Sequence, residues 1–353
     1  MSWFENITGI NENKFKNNIN KYIINDKIIN QKTLKVWNTG ILINDKTIRE
    51  LKDDIQTGLS NFKHFSNDKN FDLNDKNIKF EVITGLNADV RTLQRKISNS
   101  VFLVASNFDG LEHSNEDSKI EDTNFITNYC RDFTQGPSAA LCAPACTIYR
   151  SCYSLLYGKN INSLKNVNQF YNINNGYSDL SEVSIDLLKS SNLSKELSLN
   201  KYIPIIHSNV EIVDNLDNLN IVNTIDQVYG AALNLKQRKQ GKINKEIVNE
   251  YPILQVYPIY CSIYSTYLTA VMNGRENIVL TLLGGGVFGN SLEVIISSIV
   301  NVHKKFEMYK KIKGFKENQN LDIPIKNVKL ALFKNSKKDI DIIVNTLKAE
   351  EML

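Results

Sequence analysis

The feature that most constrains the fold is an apolar run that ends in three consecutive glycines. Residues 278–283 are mostly apolar and half β-branched, which predicts a buried strand, and Gly284–Gly286 follow directly. The periodic segment 293–299 then predicts a helix. Because glycine has no Cβ, a ligand can approach this turn closely, and free N–H groups before a helix favour an anion. We therefore expect a phosphate site here; the alternative is a tight turn without a ligand.

Other interpretations of this turn are weaker. Gly284, Gly286 and Gly289 also have the spacing of the dinucleotide fingerprint and of the kinase glycine-rich loop. A Rossmann turn follows the first strand of its unit, however, whereas this turn lies near the end of the chain. The kinase motifs H-R-D and D-F-G do not follow it, and the P-loop pattern is absent. Asn290 and Glu293 have the spacing of a capping box for the following helix.

A second segment of the chain predicts a β-turn-α-β unit. Strands are expected at residues 80–84 and 101–105, with a helix over residues 90–97 between them. Such a unit implies a parallel sheet, in which ligands collect at the carboxyl ends of the strands. The candidate ligand-binding segments are therefore the turn Gly85–Asp89 and residues 106–109.

The remaining pattern divides the chain into an extension and a core. Residues 1–78 are polar and are expected to pack on a core formed by residues 79–353, with an insertion at about 158–250. A helix over residues 138–156 should be kinked by Pro144, and an apolar region over residues 253–271 should be broken at Pro258.

Composition excludes several functions. The chain has 42 Lys and Arg residues against 38 Asp and Glu, a net charge of +4 without a basic patch, so we expect no nucleic-acid partner. The start of the chain lacks the pattern of a signal peptide, and no apolar run approaches the length of a membrane span. We expect a monomer in the cytoplasm, without a membrane partner and without a cofactor.

The cysteines and histidines do not suggest a metal or a disulfide framework. The five cysteines form no C-x-x-C pair, which favours a reducing compartment. The four histidines are far apart, so a zinc site is not expected. Cys142 and Cys146, four residues apart, are expected to be small core residues, and no histidine lies near them in sequence to support a nucleophile.

A long acidic segment lies between the predicted strand at 101–105 and the helix near 138. Long loops in compact domains are usually functional or disordered. The acidic residues of this loop are Asp109, Glu112, Glu116, Asp117, Glu121, Asp122 and Asp132.

Four stretches resemble, in order, the macrodomain family, whose members bind ADP-ribose. They are Ile83–Val90, Val104–Asn107, Gln135–Ala140 and Leu283–Asn290. The first looks like the adenine-binding turn of that family, the second like a strand that ends at the distal ribose, and the last two like its glycine-rich loops. The resemblance implies an α/β fold with a three-layer α/β/α mixed sheet, preceded here by the N-terminal extension.

The resemblance is greatest to a divergent branch of the family. It rests on the N-terminal lead and on Ser106–Glu112, Asp132–Pro137 and Thr147–Arg150. That branch includes bacterial effectors that remove ADP-ribose from arginine on ubiquitin. If this protein is such an effector, the resemblance implies that it is delivered into a host cell. The first glycine-rich loop has only one glycine, and the Gln-Glu-Glu signature of poly(ADP-ribose) glycohydrolases is absent. The usual catalytic assignments therefore do not transfer directly.

The resemblance implies the site residues. ADP-ribose would be bound by Asp89, Val90, Asn107, Gln135, Gly136, Gly284, Gly285, Gly286, Val287, Phe288, Gly289 and Asn290. Carboxylates that stabilise an oxocarbenium-like state and activate water would come from the acidic loop: Glu112 and Asp132 first, then Glu121 and Asp122.

The expected function is hydrolysis of ADP-ribose from a modified protein side chain at an N-glycosidic bond, without a metal. Arginine is the expected acceptor, because it stays charged and an acidic pocket favours it. The partner would be ADP-ribose or an ADP-ribosylated protein such as ubiquitin. The alternatives are a non-catalytic ADP-ribose reader and a hydrolase of a free ADP-ribose derivative.

Overall fold

The fold was analysed in a computed structural model, which describes residues 2–42, 78–113, 117–128, 137–217, 219–236, 238–311 and 323–353. The helices are α1 Trp3–Thr8, α2 Glu12–Lys16, α3 Ile19–Tyr22, α4 Val90–Lys96, α5 Pro137–Ala140, α6 Pro144–Ser151, α7 Tyr153–Tyr157, α8 Ile185–Ser190, α9 Leu193–Glu196, α10 Arg238–Glu250, α11 Ile253–Met272, α12 Leu292–Lys311 and α13 Lys337–Ala349. The strands are β1 Ile23–Ile24, β2 Lys27–Ile29, β3 Val36–Asn38, β4 Ile41–Leu42, β5 Lys79–Thr84, β6 Ser100–Ala105, β7 Ile173–Asn174, β8 Tyr177–Ser178, β9 Ile205–Val213, β10 Ile221–Gly230, β11 Asn277–Thr281 and β12 Asn327–Leu332.

A seven-stranded mixed sheet runs through the core in the order β4-β9-β10-β6-β11-β12-β5. The strands from β10 to β5 are parallel, and β9 is antiparallel to β10. The predicted β-turn-α-β unit is confirmed, although two other strands lie between β5 and β6. The central strands are buried on both sides, as expected when helices cover both faces of a parallel sheet.

The side chains of β6 alternate between two cores, one on each face of the sheet, so helices, sheet and helices form three layers. Val101 and Leu103 point into a core shared with α11, α12 and α13, whereas Phe102 and Val104 point into a core shared with α4, α5 and α6. The α/β class and the three-layer arrangement expected from the sequence are therefore confirmed. The segment 158–250, predicted as an insertion, contains β9 and β10, which belong to the main sheet. Only the parts of this segment on either side of these two strands lie outside the sheet.

Proline affects two helices differently. Pro144 begins α6, so the helix expected over 138–156 is divided into α5, α6 and α7. Pro258 was expected to break the segment 253–271, but this was wrong: α11 continues through it. A proline leaves the carbonyl four residues earlier without its N–H partner. Here that carbonyl, of Leu254, accepts a hydrogen bond from the buried Tyr171 hydroxyl at 3.0 Å instead.

The N-terminal segment packs on the core through the helices α1 to α3. Phe4, Ile7 and Phe15 share a core with Ile148 of α6 and with Phe125. The buried carboxylate of Glu12 accepts hydrogen bonds from the backbone N–H groups of Ile126 and Thr127 at 3.0 and 2.8 Å. This carboxylate therefore fixes part of the acidic loop, residues 117–128, against the extension. No helix in the described ranges is long and apolar enough to cross a membrane.

The interaction between Tyr171 and Leu254 gives a first prediction. Tyr171→Phe leaves the buried Leu254 carbonyl without a donor and should lower the free energy of unfolding by about 1–3 kcal/mol, measured by urea denaturation. In a Pro258→Ala background the backbone N–H of residue 258 can donate to the Leu254 carbonyl, so Tyr171→Phe should lower the free energy of unfolding by less. An equal loss in both backgrounds would contradict this account.

The Glu12 interaction gives a second prediction. Glu12→Gln replaces a charged acceptor by an amide, whose oxygen can accept from one of the two backbone N–H groups while its NH2 group presents a donor to the other. The free energy of unfolding should fall by about 2–3 kcal/mol in urea denaturation. Glu246→Gln, on the exposed side of α10, is the matched control and should stay within about 0.5 kcal/mol of the wild type. Equal stability of the two variants would show that Glu12 does not hold the loop.

Candidate active site

The candidate site is the edge of the sheet where the parallel strands end. Because β5, β6, β10, β11 and β12 are parallel, the loops that follow them lie along one edge. These loops are residues 85–89, 106–113, 231–236, 282–290 and 333–336. Most of the binding residues predicted from the sequence lie in the first, second and fourth of these loops.

The glycine loop after β11 is a tight turn held by its own backbone. The N–H of Gly285 donates to Leu282 O at 3.0 Å, and the N–H of Asn290 donates to Gly284 O at 3.0 Å. Gly284 has a φ of +74°, and a Cβ there would lie 2.5 Å from the Cβ of Ala232. Only glycine fits this position, because the conformation is left-handed and the neighbouring chain is too close.

The tip of the same loop has backbone N–H groups without a partner. Among the described residues, the amides of Gly286, Val287 and Phe288 have no hydrogen-bond acceptor. A Cβ on Gly286 would meet nothing within 4 Å, and Val287 is 54% exposed. Successive N–H groups that have no acceptor in the protein can bind an anion. This is the geometry expected for a phosphate-binding turn.

The side chain of Asn290 ties the loop to the core. It is buried, donates from Nδ2 to Leu233 O at 2.8 Å and accepts from Gln255 Nε2 at 3.1 Å. The predicted capping box is wrong: the cap of α12 is Ser291, whose hydroxyl accepts from the N–H of Val294. The contacts of Asn290 hold the loop; its predicted contact with the distal ribose stays a prediction.

Phe288 and Gly289 connect this loop to two neighbouring segments. The carbonyl of Phe288 accepts from the N–H of Leu235 at 2.9 Å, and its ring lies 6.1 Å from the ring of Tyr177. A Cβ on Gly289 would lie 2.9 Å from the Cβ of Lys236. The glycine loop is therefore packed between the residues that follow β10 and the hairpin β7–β8.

The turn after β5 carries Asp89 at the start of α4. Its carboxylate accepts from the Thr92 hydroxyl at 2.6 Å and from Arg91 Nε at 3.3 Å. Burial raises the pKa of Asp89, but these hydrogen bonds outweigh it, so the pKa lies below its usual value. Asp89 is thus ionised at neutral pH and keeps lone pairs for another donor. The side chain of Val90 is buried in the core beneath the turn.

Asn107 lies at the end of β6 with an unused hydrogen-bond donor. The residue is only 3% exposed, and its Nδ2 has no partner among the described residues. A buried donor without an acceptor is costly, and such groups in native proteins often face a ligand. The position fits the predicted ribose contact.

The acidic loop places one carboxylate beside Asn107. A Cβ on Gly176 would lie 2.7 Å from Asp109 Oδ1 and 2.8 Å from Asn107 Cβ, so these two side chains converge on the hairpin β7–β8. Asp109 Oδ2 lies 2.6 Å from His113 Nε2, and the His113 ring lies 6.3 Å from the ring of Tyr177. Sequence reasoning included residues 106–109 as a segment but did not single out Asp109. The four-residue spacing of Asp109 and His113 was a signal for the pair.

The predicted catalytic residues lie in different surroundings. Glu112 is half-buried, next to His113 in the chain. Glu121 and Asp122 are exposed; the carboxylate of Asp122 accepts from the N–H of Lys119, and its carbonyl accepts from Lys16 of α2. The contacts of Asp122 are those of a structural turn, and its catalytic role stays a prediction. Asp132, Gln135 and Gly136 lie outside the described residues.

A buried cysteine–histidine pair lies beneath the loop 106–113. Cys146 Sγ is hydrogen-bonded to His207 Nδ1, and Arg150 Nη1 lies 3.7 Å from the same sulfur. Burial raises the pKa of Cys146 to about 11; burial, and then the charge of Arg150, keep the pKa of His207 well below its usual value. Both residues are therefore neutral, so the fully buried thiol is unsuited to be a nucleophile. No sequence pattern predicted this pairing, because 61 positions separate the two residues.

This pair gives a third prediction. Cys142, Cys146 and Cys152 are free and buried, and burial raises the pKa of each thiol to between about 11 and 12. Iodoacetamide at about pH 8 should therefore modify these residues in the native protein far more slowly than in guanidinium chloride, as measured by mass spectrometry of digests. Fast native labelling of Cys146 would mean that its thiol is accessible and ionised.

Comparisons with known proteins give structural neighbours only. A poly(ADP-ribose) glycohydrolase from Deinococcus radiodurans in apo form is similar to this chain at 13% identity, with a TM-score of 0.42 over 88% of this chain and 93% of that chain. The same protein in complex with ADP-ribose is 13% identical to this chain, with a TM-score of 0.41 over 87% of this chain and 94% of that chain. A macrodomain from Oceanobacillus iheyensis is 13% identical to this chain, with a TM-score of 0.40 over 78% of this chain and 94% of that chain. No protein-family model and no curated protein sequence matches the chain.

Proposed function

We propose that this protein is an ADP-ribosyl hydrolase that removes ADP-ribose from a protein side chain. The observation that carries the proposal is the order of three binding elements along one sheet edge. Asp89 lies in the turn after β5, the unpaired amides of Gly286–Phe288 follow β11, and the buried Asn107 amide follows β6. This is also the order of adenine, diphosphate and distal ribose in ADP-ribose.

The spacing of the elements is compatible with one extended ligand. The strand order β6-β11-β12-β5 separates the ends of β6 and β5 by three strand steps, about 14 Å at the usual spacing of 4.7–4.9 Å. Asp89 would accept from the adenine amino group, and the loop amides would bind the diphosphate. The donor of Asn107 would reach a hydroxyl of the distal ribose, together with Gln135 and Asn290 as expected from the sequence.

Hydrolysis rather than binding alone is supported by the carboxylates on the ribose side. Asp109 and Glu112 belong to the same loop as Asn107, residues 106–113, so with the ribose bound at Asn107 anionic groups would lie near C1, where positive charge develops. An acidic surrounding also favours the charged guanidinium of arginine as the leaving group. Arginine is therefore the proposed acceptor, with ubiquitin as the first modified protein to test.

The fourth prediction tests the diphosphate site. Gly286→Glu places a carboxylate at an open position of the loop, where it repels the diphosphate without a clash in the fold. Calorimetric titration with ADP-ribose should show binding by the wild type and a loss of about 100-fold or more in the variant, or about 2.7 kcal/mol. Gly286→Ala is the matched control and should bind nearly as the wild type does. Absence of wild-type binding would reject the proposed function.

Release of ADP-ribose from arginine-modified protein then distinguishes the two classes of function. A hydrolase should release ADP-ribose from the modified protein, and Gly286→Glu should not. A protein that binds ADP-ribose tightly but releases none from arginine-, serine- or glutamate-linked substrates would be a reader. Release only from a free ADP-ribose ester would place it among hydrolases of small derivatives.

A further inference from the structure

The surroundings of His113 fix its protonation state. Its Nδ1 lies 2.9 Å from the carbonyl oxygen of Ser118, and its Nε2 lies 2.6 Å from a carboxylate oxygen of Asp109. A carbonyl and an ionised carboxylate only accept hydrogen bonds, so both ring nitrogens must donate. The favoured state of His113 is therefore the imidazolium, with both ring nitrogens donating.

The groups around the pair strengthen this state. Burial lowers the pKa of His113, but the hydrogen bond and charge of Asp109 outweigh burial, so the pKa lies above its ordinary value. Glu112 and Asp117 are neighbours in the loop, and Tyr177 donates its hydroxyl to the His113 carbonyl at 3.3 Å. The ring of Phe125 makes a T-shaped contact with the His113 ring, with the ring centroids 5.1 Å apart. On the α6 side the charged group is Arg150, whose Nε donates to Gly110 O at 2.6 Å.

The pair is placed to act on a ligand. Asp109 retains 18% side-chain exposure, whereas His113 retains only 4%. Asp109 and Asn107 converge on Gly176, and Asn107 brings the buried donor that lacks a partner among the described residues. The Asp109 carboxylate is oriented by His113 at Oδ2 and by the backbone N–H of Leu111, which donates to Oδ1 at 3.0 Å, and it keeps lone pairs on its exposed part. Together with the unused amide of Asn107, this arrangement is suited to a sugar hydroxyl and to water at the neighbouring carbon.

We propose that Asp109 is a catalytic residue of the hydrolase and that His113 is the positioning residue that orients its carboxylate through a charge-assisted hydrogen bond. This inference rests on the proposed function. It adds a carboxylate to those predicted from the acidic loop, and it places that carboxylate at C1 of the distal ribose.

The proposed reaction balances without a metal or a redox partner. The bond between C1 and the guanidine nitrogen breaks, which leaves a neutral guanidine and an oxocarbenium ion stabilised by the Asp109 carboxylate. A water molecule forms the new C1–O bond while its proton passes to Asp109. That proton then passes to the departing guanidine, which becomes the guanidinium of the restored arginine.

The test compares Asp109→Asn, His113→Gln and a control in the full-length protein. ADP-ribose binding is measured by calorimetry, and release from arginine-modified protein is measured in single turnovers between about pH 5 and 9. Asp109→Asn should slow release by about 100- to 10,000-fold and leave ADP-ribose affinity within the same order of magnitude. Asp109→Glu keeps the charge and should recover part of the rate, which separates a lost carboxylate from a lost fold.

His113→Gln tests the positioning role. When the pH rises through the raised pKa of His113, the imidazolium loses one proton and the positive charge beside Asp109 is lost, so wild-type release should decline above the ordinary histidine value of about 6.5. Glutamine keeps an N–H donor but does not titrate, so this decline should disappear. His303→Gln is the matched control: His303 is also buried and also four residues from a carboxylate, Glu307, but lies in the core on the opposite face of the sheet. It should keep the wild-type pH profile.

The outcomes distinguish the two proposals. A wild type that neither binds ADP-ribose nor releases it would reject the proposed function and, with it, the role of Asp109. A wild type that releases ADP-ribose while Asp109→Asn does so at the same rate would overturn the role of Asp109 alone. An alkaline decline that persists in His113→Gln would overturn the positioning role of His113.

Discussion

The parallel pairing of β6 with β11 is the constraint on which the site depends. Because these strands run in the same direction, the segments that follow them emerge side by side, and Asn107 and the glycine loop come from chain positions nearly 180 residues apart. The pairing is stable because helices bury both faces of the sheet. The side chains of β6 alternate between two cores, which requires hydrophobic residues on both sides of the strand.

Glycine serves two different purposes at this edge. Gly284 and Gly289 are required by positive φ angles and by close neighbours, Ala232 and Lys236, so they shape the loop. Gly286 faces open space, so its lack of a side chain leaves the adjacent amides accessible. The loop is held by its own backbone hydrogen bonds and by close neighbours, which reduces the ordering cost of binding an anion at its amides.

The acidic loop is held in place from two directions. On one side, Glu12 of the N-terminal segment accepts hydrogen bonds from the backbone N–H groups of Ile126 and Thr127. On the other, Arg150 donates to the carbonyl of Gly110, two residues after Phe108. The extension is therefore part of the framework around the candidate site. This role could not be predicted from the polar composition of the extension, because only a few buried apolar residues and one carboxylate make the contacts.

The elements with strong local patterns could be predicted from the amino-acid sequence: the strands β5, β6 and β11, the glycine turn, and the α/β class. These follow from periodicity and from the conformational freedom of glycine, which act over a few neighbouring residues. Three features follow only from the folded chain: α11 continues through Pro258, Cys146 meets His207, and Asn107 and Asp109 both approach Gly176. Each of these depends on a partner from a distant part of the chain, such as the Tyr171 hydroxyl, and no local pattern encodes which distant groups will meet.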